Sequence, residues 1–128
     1  MSELQVPPPT ELTLHRRSRE LTVRFADGMN ARLSAEFLRV HSPSAEVKGH
    51  SAGEGILVTG KEAVNIASIE PVGLYAVRLV FDDGHNTGLY TWAALYELCA
   101  ERDRKWQRYL ERLTAAGEAR RPEPKWAE

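Results

Sequence analysis

The sequence predicts an α+β domain: a small antiparallel sheet of about five or six strands, one short helix and a long C-terminal helix. Three observations carry this. Apolar residues alternate with period two in the first and middle thirds, turn residues separate those runs, and a stripe of helical period fills the last third.

Glu11–His15 places Leu12 and Leu14 on one face, and Glu20–Phe25 does the same with Leu21, Val23 and Phe25. Arg16-Arg17-Ser18-Arg19 joins them. Asp27-Gly28 is a hairpin signal, after which Ala31 and Leu33 resume the alternation and complete a three-stranded meander. Ser34 is a helix cap for Ala35–Val40, and Pro43 stops that helix. From Ser42 to Glu62 the chain is rich in serine, glycine and small residues, a long excursion with one short strand expected at Ile56–Val58. Val64–Glu70 and Tyr75–Phe81 form the next strand pair, linked through Pro71 and Gly73. Asp82-Asp83-Gly84-His85 makes another tight turn, and Leu89 and Tyr90 lead into a helix capped near Thr91.

That helix carries Leu95, Leu98, Arg102, Trp106, Tyr109, Leu110 and Leu113 at three- and four-residue spacings, with Gly117 to end it. Unbroken, it is about 38 Å long against about 20 Å for a six-residue strand, so its far half overhangs the sheet. Trp106, Tyr109, Leu110 and Leu113 are therefore expected at an interface, covered by the excursion, the N-terminal arm or another molecule. Residues 1–9 read as a flexible arm, 10–116 as one domain and 117–128 as a disordered tail.

The 128 residues, 42% hydrophobic and 27% charged, suffice for one core and exclude wholesale disorder. Seventeen basic residues against eighteen acidic give a net charge of −1, without the basic excess of a nucleic-acid binder. No stretch approaches the roughly 20 apolar residues of a membrane span. Met1–Thr10 has neither the basic start nor the apolar middle of a signal peptide, so a cytoplasmic location is expected. Cys99, the single cysteine, excludes an internal disulfide and a cysteine-built metal site.

The residues alone form no catalytic constellation. Ser42, Ser44 and Ser51 share a region with His41 and His50, yet no Gly-x-Ser-x-Gly elbow is present. Gly55 to Lys61 has the glycine and lysine spacing of a phosphate loop. Glu62, however, stands where a magnesium-binding hydroxyl belongs and would repel phosphate. Arg16, Arg17 and Arg19 make a basic turn without aromatic platforms, so nucleic acid is not an expected partner. Arg102, Arg104, Lys105, Arg108 and Arg112 interleave with Glu101, Asp103 and Glu111 as on a salt-bridged exposed helix face.

The run Leu38-Arg39-Val40-His41-Ser42-Pro43-Ser44-Ala45-Glu46-Val47, then Phe81-Asp82-Asp83-Gly84-His85 and the Thr91-Trp92 helix start, resembles the N-terminal domain of gamma-butyrobetaine hydroxylase. The resemblance covers about residues 10–114. That domain also occurs alone in bacteria as a family of unknown function (DUF971), and fused to some Mrp-like iron–sulfur carrier ATPases. In the hydroxylase it holds a structural zinc through a Cys-x-Cys-x-x-Cys run and one histidine. The matching positions here are Ser42, Ser44, Val47 and His85, so three of the four ligands are replaced. A serine hydroxyl is neutral at pH 7 and valine has no donor, so no metal and no cofactor are expected. The alternative ligands are His41 and His50, beside His85 and Asp83.

The hydroxylase's iron and 2-oxoglutarate belong to a separate, larger domain. The resemblance therefore implies no enzyme, but a non-catalytic accessory or protein-interaction domain, self-associating as a homodimer or serving an oxygenase-like enzyme or iron–sulfur assembly. The alternative is a small-ligand or metal-binding protein using the 41–60 loop and His85.

Overall fold

A computed structural model describes residues 6–42 and 57–120 of the chain. The class is α+β, with six strands and three helices among the described residues. β1 (Glu11–His15), β2 (Glu20–Arg24) and β3 (Asn30–Ser34) form an antiparallel meander in which Leu12 faces Val23 and Leu21 faces Leu33. The middle strand is covered on both faces: Leu21, Thr22 and Val23 are all buried, and the Thr22 hydroxyl is satisfied by the His15 ring at 2.8 Å. Gly28 takes φ 96° in the β2–β3 turn, where the Asp27 carboxylate accepts from the Met29 N–H at 2.9 Å.

α1 (Ala35–Val40) starts where expected, the Ser34 hydroxyl accepting from the Phe37 N–H at 3.0 Å. β4 (Ile66–Val72), β5 (Ala76–Phe81) and β6 (Leu89–Thr91) make a second antiparallel sheet in that order. Pro71 sits within β4, an edge strand, where its missing N–H costs no ladder bond. Leu57 and Val58 form no strand, and Ile56 lies outside the described residues.

The strands thus belong to two three-stranded sheets rather than the one sheet expected. Alternation fixes which face of a strand is buried but not which edges pair. A bulge between Ile66 and Ser68 breaks the β4 register, and Arg16 donates to the Ala67 carbonyl at 2.7 Å. Asn65 Nδ2 in turn donates to the Arg16 carbonyl at 3.0 Å. The arginine turn is therefore a stitch between the sheets as well as a charged loop.

The second correction concerns the C-terminal helix. It is two helices, α2 (Trp92–Ala100) and α3 (Arg102–Ala115), with Glu101 at φ −108°, ψ 17° between them. The break falls where the apolar run gives way to Glu101–Lys105, and Arg102 anchors the start of α3 by donating to the Arg32 carbonyl at 3.0 Å. Phe37 of α1 and Trp106 of α3 meet with ring centroids 6.4 Å apart, and Tyr109 and Leu113 are buried, so the apolar stripe of α3 is largely covered within the chain. Gly117 at φ 77° closes α3, its N–H donating to the Thr114 carbonyl and that of Glu118 to the Leu113 carbonyl.

One core joins these layers: Leu21, Val23 and Leu33 from the first sheet, Phe37 and Leu38 from α1, Leu79 and Phe81 from β5, and Leu95 from α2. Each such side chain contributes roughly 1.5–3 kcal/mol by leaving water. Tyr96 pins α2 to the first sheet, donating to Asp27 at 2.6 Å and meeting Phe25 edge-on at 5.0 Å. Cys99 is buried, and that burial pushes its thiol up to about 11 against the opposing influence of Arg102.

Candidate functional site

The end of α1 and the β5–β6 turn meet at one place. His41 caps α1, and the Tyr90 hydroxyl donates to the Leu38 carbonyl at 2.6 Å, satisfying a last-turn acceptor. Across from it, the Asp82-Asp83-Gly84 turn is tied to β4: the Asp82 carboxylate accepts from the Asn65 N–H at 3.0 Å, and the Asp82 N–H donates to the Asn65 carbonyl at 2.9 Å. This fixes His85, whose Nε2 lies 2.9 Å from the Ser42 hydroxyl.

Gly88 closes over the pair. A Cβ there would stand 2.4 Å from Ser42 Oγ, so the position admits only glycine without rearrangement. Ser42 itself is 4% exposed.

Asp83 is the electrostatic hub. Its Oδ1 accepts from the His85 N–H at 3.1 Å, while Oδ2 takes Arg39 Nε at 2.9 Å and Lys61 Nζ at 2.6 Å. Burial works to raise its pKa, but Lys61, the His85 N–H and Arg39 together outweigh burial and hold the carboxyl at about 2. Burial pushes the Tyr90 phenol far up, against the opposing pull of Ser42 and Arg39.

This arrangement ties the end of α1 to the β5–β6 turn as a lock. A serine hydroxyl beside an imidazole suggests a nucleophile and base, but Asp83 holds the His85 backbone rather than its ring, and the hydroxyl is enclosed. Nor does the donor set among the described residues fit a structural zinc. Ser42 offers a neutral hydroxyl already hydrogen-bonded to the imidazole nitrogen, and both Asp83 oxygens are taken by cations and an N–H. Among the described residues no three His, Cys, Asp or Glu side chains group around a common point.

Of the positions singled out by sequence, Ser42, His85 and Asp83 come together here, while Ser44, Val47 and His50 lie outside the described residues. His41 is engaged elsewhere: its Nδ1–H donates to the Phe37 carbonyl at 2.9 Å, and its ring packs on Phe37 and Tyr109. Burial above all, with Lys105 and Arg112, lowers its pKa against the Phe37 carbonyl. Of the expected interface, Tyr109 and Leu113 are buried in the chain, and Trp106 and Leu110 half-buried. Sequence reasoning missed Arg39, Lys61 and Gly88. Gly88 had one signal, a lone glycine just before a strand.

A different surface stands out for its exposure. The β4–β5 turn presents Leu74 at 91% and Tyr75 at 54%, with Leu89 of the neighbouring edge strand at 37%. The turn is held firmly: Gly73 takes φ 55°, Trp92 Nε1 donates to the Leu74 carbonyl at 2.9 Å, and the Trp92 N–H donates to the Tyr75 carbonyl at 3.3 Å.

Solved structures resemble most of the chain. One NMR solution structure, 52% identical, spans 95% of this chain and 91% of its own with a TM-score of 0.81. A second, 44% identical, spans 97% and 98% with a TM-score of 0.80. A crystal structure of a protein of unknown function from Acidithiobacillus ferrooxidans, a member of the DUF971 family, is 45% identical over 73% of this chain and 93% of its own, at a TM-score of 0.61. No curated protein matches. The family described as gamma-butyrobetaine hydroxylase-like, N-terminal, matches residues 12–96, which take in the Ser42–His85 lock, and the chain belongs to that family.

Proposed function

We propose that the chain is a non-catalytic accessory domain that works by binding another protein, with the β4–β5 hairpin tip as its contact. One observation carries this: Leu74, 91% exposed, stands beside the half-exposed Tyr75 on a turn fixed by Trp92. Two large apolar side chains held out in water add nothing to the chain's own core. On a fixed turn they lose little freedom on docking, which favours association. The Ser42–His85–Asp83 cluster supports the same reading, since its polar groups are spent on one another. Among the described residues no helix is long and apolar enough to cross a membrane. The family resemblance suggests an oxygenase-like enzyme or an iron–sulfur assembly protein as the partner class, met in the cytoplasm.

Affinity capture from the native cell with wild type and with Leu74→Ser/Tyr75→Ser tests this. A stoichiometric partner held by wild type and lost by the double variant is expected. Equal capture by the two folded proteins, or none by either, would refute the role of the tip.

A further inference from the structure

A cleft of about 320 Å³ lies between α1, β3 and the start of α3, with Trp106 on its wall. Its one deeply buried acid is Glu36, with a side chain 6% exposed. The other acids there have cations of their own: Glu20 pairs with Arg32 at 3.0 Å and Asp103 with Arg102 at 3.2 Å. Glu36 is met by Arg120, three residues beyond the glycine that ends α3. Arg120 Nε donates to Oε2 at 2.9 Å and Nη2 to Oε1 at 2.5 Å, a two-pronged fork. The same guanidinium lies 5.3 Å from the centroid of the Trp106 ring.

A buried carboxylate aimed along a fork, an aromatic face beside it and open volume alongside make up a guanidinium receptor. An ammonium, a point charge without a planar fork, satisfies only the charge. We propose that the Glu36–Trp106 cleft binds an arginine side chain presented by a protein partner, and that Arg120 is its resident occupant, displaced on docking. This rests on the interaction reading and names a chemistry for it at a second surface, away from the hairpin tip. Arg120 suits exchange because its side chain remains 36% exposed and follows the last helix rather than belonging to it. Tethered in cis it competes at an effective concentration in the millimolar range, so an incoming arginine needs either that tether weakened or further contacts from its own segment.

The test uses the full chain and Nα-acetyl-arginine methylamide as the probe, followed through the Trp106 indole N–H signal, assigned with Trp106→Phe. Arg120→Ala is expected to show a saturable shift at least about tenfold tighter than wild type, because the tethered competitor is gone. The lysine analogue should bind at least about tenfold more weakly, lacking the fork. Adding Glu36→Gln should abolish the shift. Should Arg120→Ala fail to fold, Arg120→Gln fills similar space and serves in its place. Equal affinity in wild type and variant, absence of saturation in the folded variant, or undiminished binding after Glu36→Gln would each overturn the proposal. So would a concentration-dependent dimer lost in Arg120→Ala, which would make a second copy the donor. These readings do not involve Leu74 or Tyr75, so failure here leaves the hairpin-tip reading standing, and the reverse.

Discussion

Ser42 and His85 are 43 residues apart in the chain and 2.9 Å apart in space, their side chains hydrogen-bonded where α1 ends and the β5–β6 turn begins. A hydrogen bond of this kind contributes about 0.5–1.5 kcal/mol net, and more is lost when one buried partner is removed and the other left unsatisfied.

His85→Ala and Ser42→Ala are accordingly expected to cost about 1–3 kcal/mol each, the cost of leaving a buried polar partner unsatisfied. The thermal midpoint of the wild type should be the same with and without a strong chelator. A large fall on chelation that His85→Ala reproduces would restore the metal.

Gly88 and Ser42 should be coupled. An added Cβ at 88 meets Ser42 Oγ at 2.4 Å but Ser42 Cβ only at 3.5 Å, so the clash is with the hydroxyl. Gly88→Ala should cost about 1–3 kcal/mol by overpacking in wild type and much less in the Ser42→Ala background. Urea unfolding of the four proteins reads the coupling, and additive costs would show that the close approach is absent.

Asp83 gives the fold an acid limit. Its folded-state pKa is depressed from 3.8 to about 2, so its contribution is complete above about pH 4 and is lost as pH falls toward 2. The depression corresponds to about 2 kcal/mol. Asp83→Asn should flatten the stability profile between pH 4 and 2 while lowering stability at neutral pH. A variant whose urea midpoints follow the wild type through that window would contradict this.

A second proton acts at milder pH. The folded pKa of His41 is lowered, chiefly by burial, so below its ordinary value of 6.5 the unfolded chain takes up a proton that the folded chain refuses. Stability should be constant above about pH 6.5 and decline as pH drops below it. His41→Asn, whose amide can still donate to the Phe37 carbonyl, should lack that decline. Identical profiles would assign the proton elsewhere.

Much of the fold was legible in the sequence, for local reasons. The first meander and α1 were readable because alternation, Asp27-Gly28 and the Ser34 cap all act within a few residues. The break at Glu101 was not, since neither proline nor glycine marks it and the apolar stripe stays in phase across it. What holds α3 after the break is distant: Arg102 on the Arg32 carbonyl and Trp106 on Phe37. Arg16 read only as part of a basic turn because its acceptor, the Ala67 carbonyl at the β4 bulge, is 51 residues away in the chain. At the candidate site, Ser42 and His85 were legible through the family resemblance alone. Gly88 was hidden because the need for glycine there comes from Ser42, far back in the chain.

The claim that the chain works by binding through its hairpin tip is tested most directly by photo-crosslinking in the native cell. A benzophenone side chain is placed at Leu74 and, as a control on the other sheet, at the exposed Arg24. Position 74 should give one discrete protein adduct, lost when Tyr75→Ser is added, and position 24 none. No adduct from position 74, or the same adduct from both positions, would contradict it.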